Sequence, residues 1–200
     1  DPDLANKILD DAGYVDTDGD GIRNDSTTRT NLSFGLVVPA DWTEEVKATT
    51  LMKEQLKDIG IDIIMQAVDE GTYYAYIYAP TSGKYDIGFG EEEPGPYADW
   101  IWEFGRSYEA GGAGWNTAYY NNPEFDELLD KLTAESDMVK HKEYLYDMQM
   151  MMAEDLPYGF LFRLDVVDPV RTDKFEGYVP VMGGISSWIN PWTYYKVHLK

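Results

Sequence analysis

The chain has 200 residues, enough to bury a sizeable core, and its length predicts a single domain over residues 1–200. It carries 37 acidic against 16 basic residues, and the resulting charge of −21 repels nucleic acid and anionic lipid while suiting neutral or cationic ligands. With 44% hydrophobic and 14% aromatic residues it is too apolar to stay disordered, and without cysteine it holds neither disulfides nor thiolate metal sites.

The chain opens in "DLANKILDDAG", which sets Leu4, Ala5, Ile8 and Ala12 on one helical face and Gly13 at the left-handed C-cap position. A helical start with no initiating Met and no signal-like segment is expected of a piece of a longer protein. An aspartate-rich loop follows, and "NLSFGLVVP" then predicts a strand ended by Pro39. A helix is expected over "DWTEEVKATTLMKEQLKDIG", with Asp41 and Glu44 as a capping box, an apolar stripe of Val46, Met52, Leu56 and Ile59, and Gly60 as its end. "IDIIMQAV" reads as a buried strand, "GTYYAYIYA" as a short helix and "YDIGFG" as a third strand. From Glu91 to Gly114 the chain is irregular, acidic, aromatic and glycine-rich.

Two helices follow. The first starts at Asn122 as N-cap with Pro123 in the first turn, and the second starts at Ser136 and Asp137 and stops before Pro157. "YGFLFRLDVV" reads as a strand, and "TYYKVHL" as a last strand after a loop-rich tail. No apolar run approaches the length of a transmembrane helix. Alternation of strand and helix argues for an α/β domain, a mixed sheet flanked by helices.

The loop "DTDGDGIRND" offers hard oxygen ligands at alternating positions, as a calcium ion needs. Asp16, Asp18 and Asp20 take the first, third and fifth places, Ile22 supplies a backbone carbonyl and Asn24 takes the ninth. Thr27 stands where an EF-hand has its bidentate glutamate, so a bound calcium would be structural, and a plain polar turn is the alternative. No catalytic cofactor is expected. His141 and His198 make no triad or metal set at a legible spacing, and the methionine run "MQMMMAED" reads as packed helix.

The stretch "GEEEPGPYADWIWEFGRSYEAGGAGWN" carries the strongest functional signal. It follows a strand of an α/β sheet, where ligands bind beyond the carboxyl ends. Amphipathic rings beside carboxylates suit peptides with a positive amino end, or sugars stacked on rings. The candidate contacts are Glu92, Glu93, Tyr97, Trp100, Trp115 and Asn116.

Four stretches in order then resemble one family. They are "ANKILDDAGYVDTDGDGIRN", "LMKEQLKDIGIDI", "KYDIGFG" and the long run from "YYNNPEFDELLDKL" through "MMMAEDLPYGFL". Together they resemble the C-terminal part of the family 5 extracytoplasmic solute-binding proteins, the peptide/nickel type that feeds ABC importers. The resemblance implies one lobe of a two-lobed, periplasmic-binding-protein-like fold, monomeric by itself, with the N-terminal lobe absent. It implies a non-enzymatic protein that captures an oligopeptide or similar solute in an interlobe cleft and delivers it to ABC permease subunits in the membrane. Its place would be extracytoplasmic, either periplasmic or lipid-anchored at the cell surface. In peptide-binding members a Trp and an Asp after the Tyr-Asp strand contact the ligand. Here Gly95 stands before Pro96 where Asp is common, and Glu92 or Glu93 would supply the charge. The alternatives are a carbohydrate-active enzyme or an oligosaccharide-binding module using the aromatic-acidic loop, and a calcium-stapled adhesion module.

Overall fold

A computed structural model describes residues 1–78, 84–90, 101–107, 115–162, 165, 167–181, 184–187 and 190–200, with only the backbone at 102 and 103. It has two compact units, Asp1–Pro94 with Ala98–Pro157, and Gly95–Tyr97 with Tyr158–Lys200.

The first unit is built on a parallel sheet of β3 (Ser33–Pro39), β4 (Asp62–Val68) and β5 (Ile87–Gly88), in the order β4-β3-β5. All the pairings in this sheet are parallel, and the antiparallel pairs form separate two-residue ladders, so it is less mixed than the sequence suggests. Parallel neighbours need crossovers, and α2 (Thr43–Lys57) and α3 (Glu70–Ile77) supply them. Successive side chains of a strand point to opposite faces, and β3 uses both. Leu36 and Val38 pack with Ile63 and Phe89 under Val46, Met52 and Leu56 of α2. Val37 packs on the other face against Tyr73 and Ile77 of α3. A central strand apolar on both sides is what its near-continuous hydrophobic run predicts.

Helix α2 begins without the expected capping box. Its N-cap is Trp42, which makes no side-chain capping bond, while Lys47 pairs with Glu44. Asp69, by contrast, caps α3 by accepting from Thr72 N at 3.0 Å. The capping residue follows the last strand residue directly, so the chain turns from β4 into α3 in a single step.

The N-terminal helix α1 (Pro2–Asp11) is capped by Asp1 and ends at Ala12, with Gly13 left-handed at φ 84°. Its apolar positions do not form a core face: Leu4 is 53% and Ile8 58% exposed, and no residue of α1 is buried. Polar bonds hold the helix instead. Arg23 follows the aspartate loop, just before β2 (Asn24–Asp25), which pairs antiparallel with β1 (Tyr14–Val15). Its guanidinium ion-pairs with Asp10 and donates to Asn6 Oδ1 at 2.8 Å and to the carbonyl of Tyr14 at 2.6 Å. Arg23 Nε donates to the carbonyl of Ile59 at 2.9 Å, in the turn between α2 and β4. One side chain thus ties α1, β1 and the sheet layer together.

Two further helices pack against each other, α5 (Pro123–Ala134) and α6 (Met138–Asp155). Asn122 caps α5 and Asp137 caps α6, both as the sequence predicts. Phe125, Leu129 and Leu132 of α5 and Leu145, Met148 and Met152 of α6 are buried, which accounts for part of the methionine run. Burying each such side chain contributes roughly 1.5–3 kcal/mol. Asp155, at the end of α6, accepts from Tyr120 Oη at 2.6 Å and Asn122 Nδ2 at 3.0 Å. Burial, reinforced by this carboxylate, pushes the Tyr120 phenol up to about 12. Short helix α4 (Ile101–Gly105) approaches α5 through Gly105.

In the second unit the strand expected over "YGFLFRLDVV" is not formed among its described residues. Phe160, Leu161 and Phe162 lie exposed and unpaired with any described strand. The last expected strand is also corrected. Pro191 starts helix α7 (Pro191–Lys196), and only His198–Leu199 form a strand, β7, antiparallel to β6 (Phe175–Glu176). Proline at the first helical position fixes φ for a helix, and this outweighs the β-propensity of Thr193, Tyr194 and Tyr195.

Candidate functional site

Parallel strands deliver their following loops to one edge of the sheet, the edge where ligands of α/β proteins collect. Here Trp42 follows β3, Tyr73 and Tyr74 follow β4 in the first turns of α3, and Gly90 follows β5. Their rings form an array. Trp42 lies 5.8 Å from Tyr73 between ring centroids, Tyr73 lies 5.4 Å from Tyr74, and Tyr74 stacks on Tyr78 at 5.9 Å with 11° between planes. Trp115 meets Tyr78 edge to face at 6.4 Å. Edge-to-face and offset-stacked pairs at these separations are attractive, so the rings position one another. Gly90 is close to the array: a Cβ there would sit 2.5 Å from the Tyr73 hydroxyl.

The loop carrying Trp115 is anchored from below. Tyr119 Oη donates to the carbonyl of Ile77 at the end of α3, as does Tyr85 Oη, each at 3.4 Å. Asn116 is fully buried, and its amide fixes the loop. It donates to the carbonyls of Arg106 and Tyr120 at 3.1 and 2.8 Å and accepts from Tyr120 N at 2.9 Å. Asn116 therefore lies inside the loop that presents Trp115, with donors and acceptor engaged there. Trp115 itself is 47% exposed and Tyr74 38%. The other expected contacts, Glu92, Glu93, Tyr97 and Trp100, lie outside the described residues. Sequence reading missed Trp42, Tyr73, Tyr74 and Tyr78 as site residues. Their one signal was a place just after an apolar strand, which holds for Trp42, Tyr73 and Tyr74 but not for Tyr78, the C-cap of α3.

The aspartate loop lies at the base of α1. Gly19 and Gly21 adopt φ values of 80° and 89°, the left-handed region glycine tolerates. The turn brings carboxylate oxygens of Asp16, Asp18 and Asp20 within 4.8 Å of one another, all exposed. Asp16 accepts from the amides of Gly19 at 2.7 Å and Gly21 at 2.9 Å, and the Gly21 bond first holds its carboxyl below the usual range. Asp20 accepts from Ile22 N at 2.7 Å. Asn24 stands apart from this group: it is buried in β2 and its Oδ1 accepts from Thr17 Oγ1 at 2.8 Å. The three aspartates fit a hard cation, whereas the ninth ligand expected at Asn24 is engaged elsewhere.

Comparison with known proteins gives a family and a fold. The pattern of the family described as bacterial extracellular solute-binding proteins, family 5 Middle, matches residues 1–127. The chain is similar to the oligopeptide-binding protein AppA of Bacillus subtilis, with 26% identity over 160 residues, covering 79% of this chain and 28% of the relative. The structure of AppA in complex with a nonapeptide superposes with a TM-score of 0.69 at 26% identity, over 78% of this chain and 30% of that one. A periplasmic oligopeptide-binding protein of Thermotoga maritima, with mannohexaose bound, shares the fold over 100% of this chain and 39% of its own, with a TM-score of 0.79 and 22% identity. The chain thus spans less than a third of the length of the curated relative it matches.

Proposed function

Because the chain belongs to the bacterial extracellular solute-binding proteins, family 5, we propose that it forms the solute-capturing wall of an ABC importer's binding protein, with an oligopeptide as the solute. The observation that carries the reading is the ring array that begins at the carboxyl edge of the parallel sheet, with Trp42 after β3 and Tyr73 and Tyr74 after β4, and continues along α3 to Tyr78 and Trp115. AppA, an oligopeptide-binding protein by name, supports the choice of solute. The rings supply apolar area and face-on contacts to a ligand, and the capped start of α3 keeps their spacing fixed. A second lobe would complete the cleft, and ligand would favour the closed state because only that state offers both walls. The permease would sense that closure. The protein acts as a binder rather than an enzyme, outside the cytoplasm, either free in the periplasm or held by a lipid anchor. Among the described residues no helix is long and apolar enough to cross a membrane.

Thermal unfolding tests the reading. A peptide at about ten times its Kd is expected to raise Tm by roughly 3 °C for a chain of this size. Pools of short peptides that leave Tm unchanged at millimolar concentration would remove it.

The three converging aspartates support a second, structural element: a calcium ion held by Asp16, Asp18 and Asp20. With three carboxylates and no bidentate glutamate, the expected Kd is on the order of 10⁻⁴–10⁻³ M. Calorimetric titration with calcium chloride checks this, and the heat is expected to vanish in Asp18→Asn. A flat wild-type titration would leave the loop as a polar turn.

A further inference from the structure

We propose that the ring array from Trp42 to Trp115 is a seat for a basic side chain, Lys or Arg, of the peptide solute. This deepens, and rests on, the solute-binding reading above.

Three observations lead there. The rings form a continuous array, and its outer members Tyr74 and Trp115 are open to solvent. The negative face of a Tyr or Trp ring attracts a cation, Trp most strongly. Second, carboxylates adjoin the rings in the chain: exposed Asp41 precedes Trp42, and exposed Asp69 and Glu70 precede Tyr73 and Tyr74. Asp69 accepts from the Thr72 hydroxyl and amide, and these bonds hold it below the usual carboxylate range, so its charge persists into mild acid. Third, the net charge of −21 draws cations toward the whole surface, which raises the encounter rate of a basic peptide and lowers that of an acidic one. The guanidinium of Arg106, whose carbonyl accepts from Asn116, is ion-paired with Asp130 on α5. An acidic solute side chain would therefore meet the net negative charge of the surface, and a neutral one would gain only the area it buries.

The test is calorimetric titration of the chain with trilysine, trialanine, triglutamate and mannohexaose, in low salt and in about 0.5 M NaCl. Trilysine is expected to bind about tenfold tighter than trialanine at low salt, with triglutamate weaker than both. Salt should narrow the ratio to about threefold without erasing it, because contact with a ring face is screened less than long-range attraction. Trp115→Ala should bring trilysine down to trialanine, while Trp115→Phe, which keeps a ring, should retain most of the preference. Circular dichroism confirms that both variants fold. Equal affinity for trilysine and trialanine overturns the proposal and leaves the solute-binding reading standing. So does a basic preference that survives in Trp115→Ala, since diffuse charge would then account for it. Binding of mannohexaose without binding of any peptide assigns the rings to sugar faces and overturns the basic seat. Binding of none of the four removes the solute-binding reading together with this one.

Discussion

Replacing Arg23 by alanine is expected to cost about 3 kcal/mol of folding stability, measured by urea denaturation at neutral pH. The size follows from what the side chain touches. Its ion pair with Asp10 adds little, because Asp10 is largely exposed and surface pairs contribute under about 1 kcal/mol. The larger part comes from the carbonyls of Tyr14 and Ile59, which lose a charged donor when the side chain, only 14% exposed, is removed. Helix α1 has no buried residue to compensate, so its docking should weaken first. Lysine recovers less than half, since one ammonium cannot span acceptors set in several directions. The stem of Arg23 also crosses Gly60, where a Cβ would lie 2.6 Å from Arg23 Cγ at a φ of 82°. Gly60→Ala and Arg23→Ala should therefore fail to add, and a double-mutant cycle measures the coupling. A loss below about 1 kcal/mol in Arg23→Ala would mean that the clamp does not hold the helix.

Gly105→Ala is the second change with a large expected effect. Alanine in a helix is ordinarily favoured over glycine by about 1 kcal/mol. Here a Cβ would sit 2.2 Å from Cε1 and Cζ of Phe125, a side chain with no exposed surface. Phe125 is fully buried and is met edge to face by Tyr120 at 5.5 Å, which restricts its room to move aside. Overpacking of this kind costs about 1–3 kcal/mol, and strain exceeds the propensity gain. A net loss of about 2 kcal/mol is expected, with recovery in the double variant Gly105→Ala, Phe125→Leu, which frees the volume. Unchanged stability in Gly105→Ala would show that the helices part easily.

Much of the first unit was legible because its signals are local. Asn122 and Pro123 announce α5 within two residues, and the apolar run of β3 is a buried central strand; β4, expected to be buried as well, lies at the edge of the sheet, with Ile63 buried and Ile64 55% exposed. What failed was any inference needing a distant partner. Asp41 and Glu44 have the spacing of a capping box, yet the helix begins one residue later than that motif requires. The stripe of α1 has the right period but faces solvent, because Arg23 reaches it from 13 and 17 residues away. Trp115 was among the candidate contacts read from the sequence and Trp42, Tyr73, Tyr74 and Tyr78 were not, since separate elements bring those rings together. In the tail, high β-propensity met a proline that starts a helix.

The order of the sheet has a consequence in time. Strand β3 meets β4 across 29 residues and β5 across 51, so the two closures differ in entropy by less than about 0.6 kcal/mol. The two pairings differ far more in reward: seven paired positions with β4 against two with β5. The β3–β4 unit with α2 thus has the means to assemble early, and β5 joins a template already in place. It is also the first strand to leave when the native protein fluctuates. Gly90 follows that strand directly, so the side of the site nearest β5 is the part that can yield to an incoming ligand while the rings on α3 stay in register.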